Sequence, residues 1–121
     1  MSQEALDQML EGERRRCQDN YITLDRFLVD PSNPDIDGMR NKIRERSWDV
    51  VAIGYGVRAS QAWTGVFELM VNMAAQEGKS VPKFAFNLMP NQVLEAVMRV
   101  SSDMAVTEQV EIKADQAKVD T

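Results

Sequence analysis

A chain of 121 residues with 44% hydrophobic content has the size of one domain and enough apolar mass for a buried core. Its net charge of −5 disfavours broad electrostatic binding to nucleic acid, which needs a basic face, and the absence of histidine removes His-based triads, His general bases and His-containing zinc sites together. No apolar run approaches the roughly 18 residues of a membrane helix, and Met1-Ser2-Gln3-Glu4 opens no secretory h-region, so the expected setting is cytoplasmic, with no membrane partner.

The single Cys17 has no internal disulfide partner and sits in a helix-like stretch, where a buried thiol explains it better than a nucleophile. Eight methionines are many for this length. Pliable core filling accounts for them first, and an adaptable apolar surface second. Two basic clusters, Arg14-Arg15-Arg16 and Arg40, Lys42, Arg44, Arg46, are interrupted by Glu11, Glu13 and Glu45. They read as solvated helix faces rather than a nucleic-acid site.

Ser2 is placed to cap a first helix from Gln3 to Gln18, with Leu6, Met9, Leu10 and Cys17 at helical spacing. Glu13 breaks that stripe, and Asp19-Asn20 ends it. Tyr21 to Val29, rich in β-branched and aromatic residues, predicts a strand, stopped by Asp30-Pro31-Ser32-Asn33-Pro34. Asp35 or Asp37 then caps a second helix reaching Arg46, with Ile36, Met39 and Ile43 on one face. Val50-Val51-Ala52-Ile53 is wholly apolar, as a parallel strand covered on both faces would be.

Gly54-Tyr55-Gly56 ends that strand. A third helix is expected from near Ser60, with Trp63, Val66, Phe67, Met70, Val71 and Ala74 as its stripe and Gly78 at its C-cap. Lys83 to Phe86 is a third strand, Asn87 to Asn91 a turn, and Asn91 the expected N-cap of a fourth helix from Gln92 to Ser101. Val93, Leu94, Val97 and Met98 face inward on it. Residues 107–121 are polar and read as a flexible C-terminal tail beyond a single α/β domain over 1–106. A short added strand, carried by the alternation of Val110, Ile112 and Ala114, is the lesser reading.

The order α-β-α-β-α-β-α predicts a small three-layer α/β fold. A mostly parallel three-stranded sheet is flanked by about four helices in a Rossmann-like or flavodoxin-like layout. Such folds open on a strand, whereas this chain opens on a helix. Three strands leave exposed edges that a second chain, or the tail, would cover.

Ligands of open α/β sheets bind beyond the carboxyl ends of the strands. That rule gathers Asp30 and Ser32, then Gly54 to Ser60, then Asn87 to Asn91. Gly54-Tyr55-Gly56-Val57-Arg58-Ala59 fits G-x-G-x-x-A between a strand and a helix, a place where glycines allow a tight turn and close ligand approach. A helix N-terminus and the Arg58 guanidinium there favour an anion such as a phosphate or carboxylate. The pattern alone is weak, since glycine turns are common. The next strand ends in Asn87, not in the acid that a dinucleotide site carries. The ligand-binding candidates are Gly54, Tyr55, Gly56, Arg58, Ser60, Asn87 and Asn91.

Asp30 is the best-placed carboxylate for general-base work, although an aspartate before proline is an ordinary turn residue. Ser60 lacks a histidine to activate it, so helix capping explains it better. No P-loop, zinc motif or catalytic carboxylate pair appears, and no cofactor or metal is expected.

Trp48 to Arg58, then Phe67-Glu68-Leu69-Met70-Val71-Asn72, then Phe86-Asn87-Leu88-Met89-Pro90 and Glu95-Ala96-Val97 resemble a family of small uncharacterised Rossmann-like α/β proteins. Its pattern runs I-G-x-G-x-R, L-F-E-x-L-V-N and F-N-x-x-P-x-D. The resemblance covers residues 20–100. It implies an extra first strand that has no counterpart here, and Gln92 stands where the pattern has aspartate. Without a substitute for that strand, the flavodoxin-like order cannot close. Two functional readings follow. One is an interaction or structural module, acting as a homodimer or on a protein partner. The other is a binding protein or enzyme for a small anionic ligand at the Gly54–Arg58 loop.

Overall fold

The computed structural model describes residues 2–101 and 107–114. Ser2 caps α1 (Gln3–Asp19) by accepting from the Ala5 amide at 3.1 Å, and Leu6, Leu10 and Cys17 form its buried face. Tyr21 follows in the left-handed region (φ 62°), a conformation costing a non-glycine residue about 1 kcal/mol. It swings the chain into β1 (Ile22–Val29), one residue later than expected.

Asp35, not Asp37, caps α2 (Ile36–Arg44), accepting from the Gly38 amide at 2.9 Å. The helix buries Met39 and Ile43, and Trp48 Nε1 donates to Lys42 O at 2.9 Å just beyond its end. β2 (Val50–Gly54) is buried throughout, as its unbroken apolar run implied.

The third helix does not begin at Ser60 but is divided. A single turn, α3 (Tyr55–Arg58), is followed by a 3₁₀ turn over Gln61–Trp63 and then α4 (Thr64–Glu77). Ser60 is the reason: its Oγ accepts from the Ala62 amide at 3.3 Å, capping the tight turn. α4 buries Met70, Met73 and Ala74, while Val66, Phe67 and Val71 pack partly against them. Gly78 is the C-cap, in extended rather than left-handed conformation. Its lack of a side chain answers a close approach, since a Cβ there would lie 3.1 Å from Ser80 O. β3 (Lys83–Asn87) and α5 (Val93–Ser101) complete the expected series.

One element overturns an expectation. Thr107–Ala114 form β4, so the sheet has four strands instead of three, all parallel, in the order β1-β4-β2-β3. The tail expected from residue 107 is therefore a strand as far as Ala114, and an interior one rather than an edge cover. Residues 115–121, the rest of that expectation, lie outside the described residues, as do residues 102–106. β4 pairs with β1 from Ile22↔Thr107 to Val29↔Ala114 and with β2 from Val50↔Gln109 to Ile53↔Ile112. It stands where the flavodoxin-like order needs its first strand, so the layout closes without one ahead of α1.

The sheet carries two cores. On one face α2, α3 and α4 cover Val29, Val51, Ile53 and Ile112 with Met39, Ile43, Val57 and Met70. On the other, α1 and α5 cover Ile22, Leu24, Val50, Ala52 and Ala85 with Cys17, Val93, Ala96 and Val97. The result is a three-layer α/β/α arrangement. Met39, Met70 and Met73 fill the core, whereas Met89 and Met98 are exposed. Among the described residues no helix is long and apolar enough to cross a membrane.

Candidate functional site

The layer assignment locates a crevice. The connections leaving β1 and β2 run to helices on one face, and the connection leaving β3 runs to α5 on the other. Adjacent strands whose exits part to opposite faces form a topological switch point, where open α/β sheets bind ligands. Here that point lies between Gly54 and Asn87, which pair directly at the carboxyl ends of β2 and β3.

Arg58 spans it. Its Nη2 donates to Asn87 O at 3.2 Å, and its guanidinium carbon lies 5.1 Å from the Phe86 ring centre and 5.5 Å from that of Tyr55. Rings at these distances favour the cation. Burial pushes the Arg58 pKa below its ordinary value, with Tyr55 opposing. Nε of Arg58 is buried and has no hydrogen-bond partner among the described residues.

The Asn87 side chain is 2% exposed. Its Nδ2 donates to Met89 O at 3.0 Å and to Glu111 Oε2 at 3.3 Å, while Oδ1 accepts nothing among the described residues. This end of the sheet thus holds one unpaired donor, on Arg58, and one unpaired acceptor, on the Asn87 side chain. Buried polar atoms are rarely left so, and each such atom calls for a reason. Around them the surface is apolar: Tyr55, Leu88 and Met89 are at least half exposed, and Phe86 packs on Phe67 with ring centres 6.2 Å apart.

The other candidates fall at its margin or serve the backbone. Gly54 is the buried N-cap of α3 with φ −69°, and no described glycine has positive φ, so a left-handed turn is not what the G-x-G pattern provides. Gly56 lies within α3, and Ser60 caps the 3₁₀ turn. Asn91 does not cap α5. Its carbonyl accepts from Arg16 Nη1 at 2.9 Å, and the amides of Val93 and Leu94 donate instead to Glu13 Oε2, at 2.9 and 3.3 Å. Asp30 Oδ1 accepts from the amide and hydroxyl of Ser32 at 3.1 and 2.7 Å, the contacts of a turn aspartate.

Sequence reasoning missed a buried polar cluster below the crevice. Glu111, in mid-β4, accepts from Arg26 Nε at 2.8 Å, and Arg26 Nη1 donates to Leu10 O at 3.3 Å. Glu13 was visible as the break in the α1 stripe. Glu111 gave no signal, because its strand read as a tail.

Burial, with Glu13 and Glu111 adding to it, pushes the Cys17 thiol up to about 12, far from nucleophile range. Cys17 is 0% exposed. A thiol reagent at pH 8 should therefore label the native protein orders of magnitude more slowly than the urea-unfolded chain, and equal rates would place the thiol at the surface. A depression of about 140 Å³ lined by Arg14, Gln18, Ile22, Thr23 and Leu24 lies at the opposite end of β1 from the crevice. Among the described residues no cluster of three metal-ligating side chains occurs. No protein-family model, curated protein or solved structure matches the chain.

Proposed function

We propose that this chain binds a small organic anion in the crevice between β2 and β3, with Arg58 and Asn87 as polar anchors and Tyr55, Leu88 and Met89 as an apolar wall. The observation that carries the reading is the pair of unpaired buried atoms, Arg58 Nε and Asn87 Oδ1, at the switch point of the sheet. Arg58 also lacks a carboxylate partner among the described residues, where Arg14, Arg16, Arg26, Arg40 and Arg44 each have one. A few placed polar groups in an apolar concavity is the usual composition of a small-molecule site. The single buried thiol suits a cytosolic setting.

Native mass spectrometry of the purified protein tests this directly, since a retained small mass names the ligand. Arg58→Ala should then weaken that ligand by about 1.5–3 kcal/mol, the range of a charge-assisted hydrogen bond. A variant that binds normally and only melts earlier would assign Arg58 to structure alone.

A second reading is a homodimeric interaction module. It is favoured by the exposed Tyr55, Phe86, Leu88 and Met89 beside the short edge strand β3. Arg99 argues for a limited edge, because its Nη2 donates to Phe86 O at 2.8 Å and blocks one outward carbonyl. On this reading the same spectra show a ligand-free dimer at micromolar concentration, and Phe86→Glu makes it monomeric.

A further inference from the structure

On a chain of net charge −5 acids are in surplus, and every arginine but two pairs with a carboxylate among the described residues. The two exceptions, Arg58 and Arg99, reach the same strand end. Arg58 Nη2 donates to Asn87 O at 3.2 Å, and Arg99 Nη2 donates to Phe86 O at 2.8 Å. Two consecutive carbonyls at the end of β3 therefore each hold a cation that no described acid neutralises.

The two cations approach from different sides. Arg58 stands on α3, in the layer with α2 and α4, and Arg99 on α5, in the layer with α1. Successive carbonyls of a strand also point opposite ways in the plane of the sheet. An occupant that uses both cations needs anionic groups set apart from one another, which a chain supplies and a small monoanion does not. Around the arginines the surface is apolar. Tyr55, Leu88 and Met89 are at least half exposed, and Phe86, 38% exposed, has the Arg58 guanidinium carbon 5.1 Å from its ring centre. Aromatic, methionine and arginine side chains are the ones enriched at protein contacts.

Three other occupants fit less well. Nucleic acid would find two cations on an acidic chain, and two phosphate contacts carry little of the electrostatic term on which such binding depends. A second copy docked by two-fold symmetry would set the same two arginines of each chain in one interface, with no acid in the patch to meet them. Strand addition at the β3 edge is hindered, because Arg99 already occupies Phe86 O.

Resting on the anchor role of Arg58 above, we propose that the end of β3 docks a short acidic segment of another protein, with its carboxylates on Arg58 and Arg99 and its apolar side chains on Tyr55, Phe86 and Leu88.

The probe is a capped hexapeptide with two aspartates on either side of a leucine–phenylalanine pair. It is titrated into the full chain and followed by the amide shifts of Tyr55, Arg58, Leu88 and Arg99. The same peptide with asparagine for aspartate, oligo(dT), and benzoate as a small carboxylate are the comparisons. Arg58→Gln and Arg99→Gln should each weaken the aspartate peptide about fivefold, the worth of one charge contact near the surface. The asparagine peptide should bind wild type about 25-fold more weakly, the product of the two, a comparison that needs no variant to fold. Arg44→Gln, at an arginine already paired with Glu77, should bind as wild type does. Equal affinity of the two peptides would overturn the proposal, as would Arg99→Gln binding like wild type or oligo(dT) binding more tightly than the peptide. A wild-type dimer that Phe86→Glu makes monomeric would give the patch to a second copy instead. If benzoate shifts the Arg58 amide and the peptide binds no more tightly than benzoate, the small-anion reading stands and the docked segment fails. If no probe shifts these amides, both fail.

Discussion

Replacing Glu13 with alanine is expected to lower the unfolding free energy by about 3 kcal/mol, read from urea denaturation. Glu13 is 2% exposed on α1, yet its carboxylate does the work of an N-cap for α5, accepting from the amides of Val93 and Leu94 at 2.9 and 3.3 Å. A negative charge at a helix N-terminus also meets the positive end of the helix dipole. Alanine removes the acceptor and leaves two amides without it, the Val93 amide in a buried contact. That costs more than the hydrogen bonds themselves are worth. Glu13→Gln keeps an acceptor but loses the charge, and about half the penalty is expected. Arg16, which reaches Glu13, Glu95 and Asn91 O, has a side chain 46% exposed, so Arg16→Ala should cost less than about 1 kcal/mol. A Glu13→Ala penalty no larger than that of Arg16→Ala would show that the α5 amides find their acceptor elsewhere.

The same residue shows what was legible. Periodicity placed α1, β1, α2, β2, β3 and α5 because each buries a regular stripe, and these elements fix the three layers. One fold-level rule places the loops carrying Arg58 and Asn87 at the same end of the sheet. Three things were hidden for physical reasons. Asn91 resembles a cap, but the cap of α5 comes from Glu13, 80 positions before Val93. Such a partner leaves no local signature beyond an acid in an apolar stripe. Ser60 resembles a helix start, but it caps a 3₁₀ turn, since the same hydroxyl chemistry serves both. β4 read as a tail because its residues are polar. Its burial is permitted by a pairing that sequence spacing does not carry: Glu111 is 0% exposed because Arg26, 85 positions away, meets it. Buried charge is legible in a sequence only when its partner is close along the chain.

That pair gives the last and largest expected effect. Glu111→Ala should destabilise the protein by about 3–5 kcal/mol, because it leaves the Arg26 guanidinium, with a side chain 16% exposed, buried without a counter-charge. The geometry sharpens the expectation. Arg26 Nη2 already has no partner among the described residues, so the loss of the Nε contact leaves only the 3.3 Å bond to Leu10 O. Asn87 Nδ2 loses an acceptor in the same step. Arg26→Met combined with Glu111→Leu removes both charges and fills the space. It should return stability to within about 1 kcal/mol of wild type, as buried ion pairs often exchange for apolar pairs at little cost. The exchange Arg26→Glu with Glu111→Arg should likewise recover most of what either reversal loses alone. The coupling energy in that cycle depends on β4 lying against β1 in the register Arg26↔Glu111. Singles that are mild and simply additive would mean that the strand does not occupy the centre of the sheet. A strong coupling would instead fix the one element that lets this helix-first chain close a parallel sheet, and with it the carboxylate that holds Asn87 in the crevice.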